Sequence, residues 1–179
     1  MTDPQNEPTV ESRLAFQGKI LNVRVDTVRL PRGTLGTREV VEHSDCVCVV
    51  PLDEGNNVVL VRQYRKPAEE SLLEVHAGGV EEGESSLDAV LRELQEETGY
   101  TADSLQHLSS FWTTPGFCTE LMHSYLATGL RPSSLEQDED EDLQVDKVPL
   151  PEIPDMIRQG EIRDAKSIAS LLMVLHLYR

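Results

Sequence analysis

The sequence predicts an α/β fold: a mixed sheet interrupted by a carboxylate-rich helix, with a second helix packed behind it at the C-terminus. Three observations lead there. Alternating and β-branched runs fill most of 14–76, a capped amphipathic stretch follows at 85–99, and a second apolar stripe runs through 164–178. With 179 residues and 39% apolar content, the chain can bury a sizeable core. It is read as one domain, 13–179, behind a flexible leader at 1–12.

Taken in order, the alternation in KILNVRVDTVRL (Lys19–Leu30) predicts strands over Leu14–Val28, and PRGTLG (Pro31–Gly36) supplies a turn. Val40–Leu52 reads as one buried strand. Asp53–Asn57 reads as a hairpin turn into a second strand, Val58–Tyr64. Leu72–His76 is a short strand running into Ala77-Gly78-Gly79, and further strands are expected at Leu105–Trp112, Leu121–Leu126 and Leu143–Val148. A short helix follows over Glu152–Gln159. Asp164 then caps a longer one reaching Tyr178, with Ile168, Leu171, Leu172 and Leu175 as its stripe. Glu136–Asp142 (EQDEDED) is low in complexity.

The helix between these strands carries the chemistry. Ser85 and Asp88 form a capping pair just after Glu82-Gly83, and Gly99 suits a left-handed C-terminal cap. Leu87, Val90, Leu91 and Leu94 recur at i, i+3, i+4 and i+7, which predicts a core-facing stripe. Glu93, Glu96 and Glu97 cluster on a different face. Like charges at that spacing cost a bare helix roughly 0.2–0.5 kcal/mol per pair. A charge run is ordinarily a solvated face. Here it sits in a fixed frame: Gly78, five residues, Glu84, seven residues, then Arg92. An oxygen-only set of this kind suits a hard cation, Mg²⁺, with Mn²⁺ able to substitute.

Gly78–Tyr100, GGVEEGESSLDAVLRELQEETGY, resembles the signature box of the Nudix hydrolases, which split a diphosphate linked to a nucleoside or other group using divalent metal. Tyr100 departs from the pattern, standing where the family usually has an aliphatic residue. The resemblance implies a Nudix-type α/β/α sandwich with a mixed sheet. It makes Glu93 and Glu97 the main metal ligands, with Glu96 close by and the Ala77 carbonyl as an additional ligand. Arg92 would pair with a neighbouring glutamate to fix its rotamer, and Glu84 would be mostly structural, with Gly78, Gly99 and Pro115 as framework positions.

Pro115 in TTPGFCTE (Thr113–Glu120), VRQYR (Val61–Arg65) and REVVEH (Arg38–His43) resemble the ADP-ribose pyrophosphatase branch of that family. The chain departs from it at His76, where a proline often precedes the Ala-Gly, and at Thr114, where Ser-Pro is common. Arg65 is the candidate phosphate contact, because a guanidinium grips two oxygens at once; a surface pairing with Glu69 or Glu70 is the plain alternative. Glu120 is a candidate for the substrate ribose or the metal shell. By the same resemblance, the base that activates water is a glutamate on the acidic loop Asp138–Val145: Glu139, with Glu141 two positions away.

The implied reaction is hydrolysis of ADP-ribose to AMP and ribose 5-phosphate. The alternatives are another nucleoside diphosphate sugar, a dinucleotide such as NADH, or a nucleotide sensor without catalysis. The branch also implies a homodimer. A net charge of −16, from 32 acidic and 16 basic residues, argues against a nucleic-acid partner. No apolar run approaches a membrane span, and the polar, acidic start MTDPQNEPTV is unlike a secretory signal, so cytoplasm is expected. Cys46, Cys48 and Cys118 have no disulfide or zinc spacing and read as small hydrophobes.

Overall fold

The computed structural model of the chain describes residues 5–133 and 144–177. Its segments pack as two compact units, Met1–Asp45 with Trp112–Leu121, and Cys46–Phe111 with Met122–Arg179.

The first unit is an antiparallel sheet of β1 (Thr9–Gln17), β2 (Asn22–Arg29) and β3 (Leu35–Glu42), in that order. Residues 9–12, expected in the leader, are therefore strand: Thr9 pairs with Val28 and Ser12 with Asp26. Gly33, at φ +87, closes the turn between β2 and β3, a conformation that L side chains rarely adopt. The Pro115-Gly116-Phe117 loop is tied to the end of β3. Val41 N donates to Phe117 O at 2.7 Å, and Thr119 N donates to Val41 O at 3.0 Å.

The second unit holds two sheets. One orders β7 (His76–Gly79), β4 (Cys46–Pro51), β9 (Leu121–Pro132) and β8 (Tyr100–Trp112); the other orders β10 (Gln144–Pro149), β5 (Asn57–Arg65) and β6 (Glu70–Glu74). The four-stranded sheet is mixed, because β4 runs antiparallel to β7 and parallel to β9. Every residue of β4 is buried, and its alternation explains why. Val47 and Val49 pack with Ala89, Val90 and Leu94 of α1 (Ser86–Thr98). On the opposite face, Cys46, Cys48 and Val50 join Leu60, Leu73, Leu171 and Val174, the last two from α3 (Ala165–Leu177). Helix, sheet and a second layer with its own helix give the expected α/β/α arrangement. Each fully buried Val or Leu there contributes roughly 1.5–3 kcal/mol. A short helix, α2 (Ile153–Gln159), anchors the same core through Ile153.

Three sequence expectations change. Val40–Leu52 is two strands, because β3 and β4 belong to different sheets and the backbone must leave one ladder before joining the other. Asp53–Asn57 is the expected tight turn, Asp53 N donating to Asn57 O at 2.9 Å, but the strands it joins lie in different sheets. It passes the chain from β4 to β5, across a single isolated bridge, Leu52 to Val58. Leu72–His76 divides at Val75, whose N–H leaves the ladder and donates to Ser167 Oγ at 2.8 Å. Among the described residues, no helix is long and apolar enough to cross a membrane.

Candidate active site

Helix α1 begins where its sequence says it should. Ser85 Oγ accepts from Asp88 N at 3.2 Å and donates to the Asp88 carboxylate at 2.7 Å. At the other end Gly99, at φ +70, donates its N–H to Gln95 O. The buried row differs from the predicted stripe. Leu87 is half exposed, while Val90, Leu94 and Glu97 lie inward at i, i+4 and i+7, with Ala89 beside them. A carboxylate thus occupies a core position of the helix.

Arg92 is the hub of the outer carboxylates. Its Nε and Nη2 grip the two oxygens of Glu84 at 3.1 and 3.0 Å. Nη1 donates to Glu93 Oε1 at 2.7 Å and to Glu96 Oε2 at 3.1 Å, and Nη2 also donates to Gly79 O at 3.0 Å. All five guanidinium donors are used. Arg92 therefore ties three glutamates together, more than the one neighbour expected from sequence. Glu84 also accepts from Glu81 N, so it fixes the turn before the helix as well as the arginine.

Glu93 is the electrostatically strained member. Burial, opposed by Arg92 and reinforced by the charges of Glu97 and Glu96, pushes its carboxyl up to about 7. The strand alongside leaves it no spare room. A Cβ added at Gly78 would fall 1.9 Å from the Glu93 carboxyl carbon and from Oε1, so β7 can pass here only as glycine. Ala77, whose carbonyl the resemblance makes a further ligand, directly precedes Gly78 in β7. The all-oxygen donor set, the crowding that disfavours ionised Glu93, and the side-chain-free strand fit a hard divalent cation.

Glu97 is held separately. Its Oε2 lies 2.9 Å from His76 Nδ1, and His76 Nε2 lies 3.1 Å from Val59 O. Both side chains are almost wholly out of water.

Arg65 does not pair with Glu69 or Glu70. Glu69 takes Lys66 and Tyr64, and Glu70 takes Arg163. Arg65 instead binds Glu74, through Nε at 3.2 Å and Nη2 at 2.7 Å. Burial works against its charge, but Glu74, Glu97 and Asp164 outweigh it and raise its pKa, which places Arg65 within the field of the helix carboxylates. Among the described residues its Nη1 takes no partner. Lys166 completes the cluster by binding Glu74 and Asp164. Neither Glu74 nor Lys166 stood out in the sequence; the one signal was a glutamate inside the apolar strand LLEV (Leu72–Val75).

Glu120 and Pro115 belong to the first unit. There Glu120 Oε2 accepts from Thr113 Oγ1 at 2.5 Å, and Oε1 lies 4.0 Å from His43 Nδ1. Glu139 and Glu141 lie outside the described residues.

Comparison with known proteins agrees with the carboxylate helix. Residues 42–171 match the model described as the NUDIX domain, and residues 7–41 match the nucleoside diphosphate sugar hydrolase N-terminal domain. A methanol dehydrogenase activator of Bacillus methanolicus is 38% identical over 92% of this chain and 90% of its own length. An ADP-ribose pyrophosphatase of Bacillus subtilis is also 38% identical, over 90% of this chain and 88% of its own. The crystal structure of an ADP compounds hydrolase shares the fold at a TM-score of 0.89 and 24% identity, covering 99% of this chain and 96% of that one.

Proposed function

Since the chain belongs to the Nudix hydrolase family, we propose that it hydrolyses the diphosphate linkage of ADP-ribose, releasing AMP and ribose 5-phosphate with Mg²⁺ as cofactor and Mn²⁺ able to replace it. The observation that carries this reading is the α1 cluster, in which Glu93 and Glu96 share Arg92 Nη1 beside a strand cleared of side chains at Gly78. The resemblance of the whole chain to an ADP-ribose pyrophosphatase supports the substrate.

Glu93 and Glu97 would hold the cation, with Glu96 beside them and the Ala77 carbonyl as a further donor. A cation held there would neutralise diphosphate charge and so favour attack by water. Arg65, braced on Glu74 with Nη1 to spare, would grip a substrate phosphate. Glu139 would take the proton from water as its oxygen attacks phosphorus, with Glu141 as the alternative base. The bridging P–O bond breaks, and attack at either phosphorus yields the same two monophosphates.

Homodimer formation and a cytoplasmic setting belong to the same proposal. β1 exposes Val10, Leu14 and Phe16, each by more than half, which a second copy would cover. A second substrate reading, another nucleoside diphosphate sugar, draws on the match of residues 7–41 to the sugar hydrolase N-terminal domain.

A panel of ADP-ribose, GDP-mannose and NADH with Mg²⁺, with products separated by ion exchange, tests the choice. The proposal expects AMP and ribose 5-phosphate in equal amounts, and ADP-ribose the best substrate. Turnover of GDP-mannose with ADP-ribose untouched would move the assignment to the second reading.

A further inference from the structure

We propose that His76 is a positioning residue that clamps Glu97, fixing which carboxylate oxygen faces the cation; this deepens the metal-dependent reading above and rests on it. His76 opens β7, opposite Val49 of β4, and is completely buried. Its ring reaches two elements at once, the Val59 carbonyl on β5 and the Glu97 carboxylate on α1.

Counting donors fixes the arrangement. A backbone carbonyl only accepts, so His76 Nε2 carries a hydrogen toward Val59 O. The second contact, 2.9 Å from Nδ1 to Glu97 Oε2, is a hydrogen bond in its own right. The ring is planar and rigid, so anchoring Nε2 to the β5 backbone aims Nδ1 at one point. Glu97 Oε2 is taken at that point, and among the described residues Oε1 has no other partner. A glutamate with three side-chain torsions is thereby restrained in a pocket where it is only 4% exposed.

The carboxylates of α1 are thus held by two separate devices. Arg92 fixes Glu93 and Glu96 from the solvent side, while His76 fixes Glu97 from the core. Second-layer partners of this kind typically change metal affinity or activity by about 10–100-fold when removed. A histidine that merely filled a polar hole in the core would have no such effect.

Two substitutions separate these roles. The amide nitrogen of Asn falls near the position of Nδ1, and that of Gln near Nε2. His76→Asn keeps a donor for Glu97 and gives up Val59, whereas His76→Gln does the reverse. Each leaves one buried acceptor unpaired, so both lower the unfolding midpoint comparably. The readouts are the Mn²⁺ dissociation constant of the folded protein without substrate, by electron paramagnetic resonance, and kcat against KM for ADP-ribose with Mg²⁺. His76→Gln is expected to weaken Mn²⁺ binding by about 10–100-fold and to lower kcat more than it raises KM. His76→Asn is expected to stay close to wild type in both. Equal losses in the two variants, or no loss in His76→Gln, would overturn the role and leave the hydrolytic reading intact. A wild-type protein that binds no Mn²⁺ would overturn both. Should either variant fail to fold, the Cε1–H resonance of the His76 ring in the wild type decides instead. It shifts when Mg²⁺ is added if the role is right, and an unmoved resonance overturns it.

Discussion

The carboxyl carbon of Glu93 lies 1.9 Å from the point where Gly78 would carry a Cβ. That overlap makes glycine a condition for the rotamer of Glu93, through close approach of the strand rather than through an unusual backbone angle. Gly78→Ala is expected to push Glu93 off Arg92 and to cut ADP-ribose turnover and Mn²⁺ affinity by at least about 10-fold. Overpacking costs about 1–3 kcal/mol, so the variant still folds. Circular dichroism together with a Mn²⁺ titration checks both halves.

Arg92 makes a second prediction, because its five bonds need a planar fork. Lysine carries three donors on one atom and cannot hold Glu84 bidentately while reaching Glu93 and Glu96. Arg92→Lys is expected to lose about 2 kcal/mol of stability without metal and to recover part of it when Mg²⁺ neutralises the freed carboxylates. Denaturant unfolding with and without Mg²⁺ measures the difference. Equal losses in both conditions would separate Arg92 from the cation.

Acid stability depends on Glu74. Burial favours its neutral form, but Arg65 and Lys166 outweigh that and hold the carboxyl below the usual carboxylate range. The folded state therefore binds fewer protons here than the unfolded chain. The stabilisation is fully present above about pH 4.5, the unfolded value, and is lost as pH falls through the lower folded value. Glu74→Gln should flatten the acid limb of stability against pH and cost roughly 3 kcal/mol at pH 7, because it strips a buried pair of its anion. Unfolding midpoints from pH 7 down to pH 3 test both.

The proposed base has its own test. Glu139→Gln is expected to lower kcat by about 10²–10⁴ while leaving Mn²⁺ affinity unchanged, and Glu141→Gln to stay near wild type. The reverse ranking would exchange the two assignments.

Helix α1 was legible in the sequence because its determinants are local. Ser85, Asp88 and Gly99 cap it through contacts within four residues, and Val90 and Leu94 follow the helical period. Leu87 misled, because the third inward position of the row went to Glu97 and the apolar stripe turned away from Leu87. The pairings of His76 with Glu97, and of Val75 with Ser167, span 21 and 92 positions and exist only once α1 and α3 have packed. Periodicity carries no trace of such contacts. Strand runs were legible as runs, but sheet membership was not. The polar run Glu42-His43-Ser44-Asp45 falls at the change of ladder, but the valines on either side of it made Val40–Leu52 read as one strand. Arg65 stands opposite Glu70 in the β5–β6 ladder yet binds Glu74, four residues further along β6, a pairing that neither the sequence nor the register announces.

The most direct measurement is a Mn²⁺ titration of the wild-type protein, followed by electron paramagnetic resonance, beside folded Glu93→Gln and Glu97→Gln. The account predicts saturable binding at or below millimolar Mn²⁺ in the wild type, and a loss of at least about 10-fold in each variant. Binding unchanged by either substitution would contradict it.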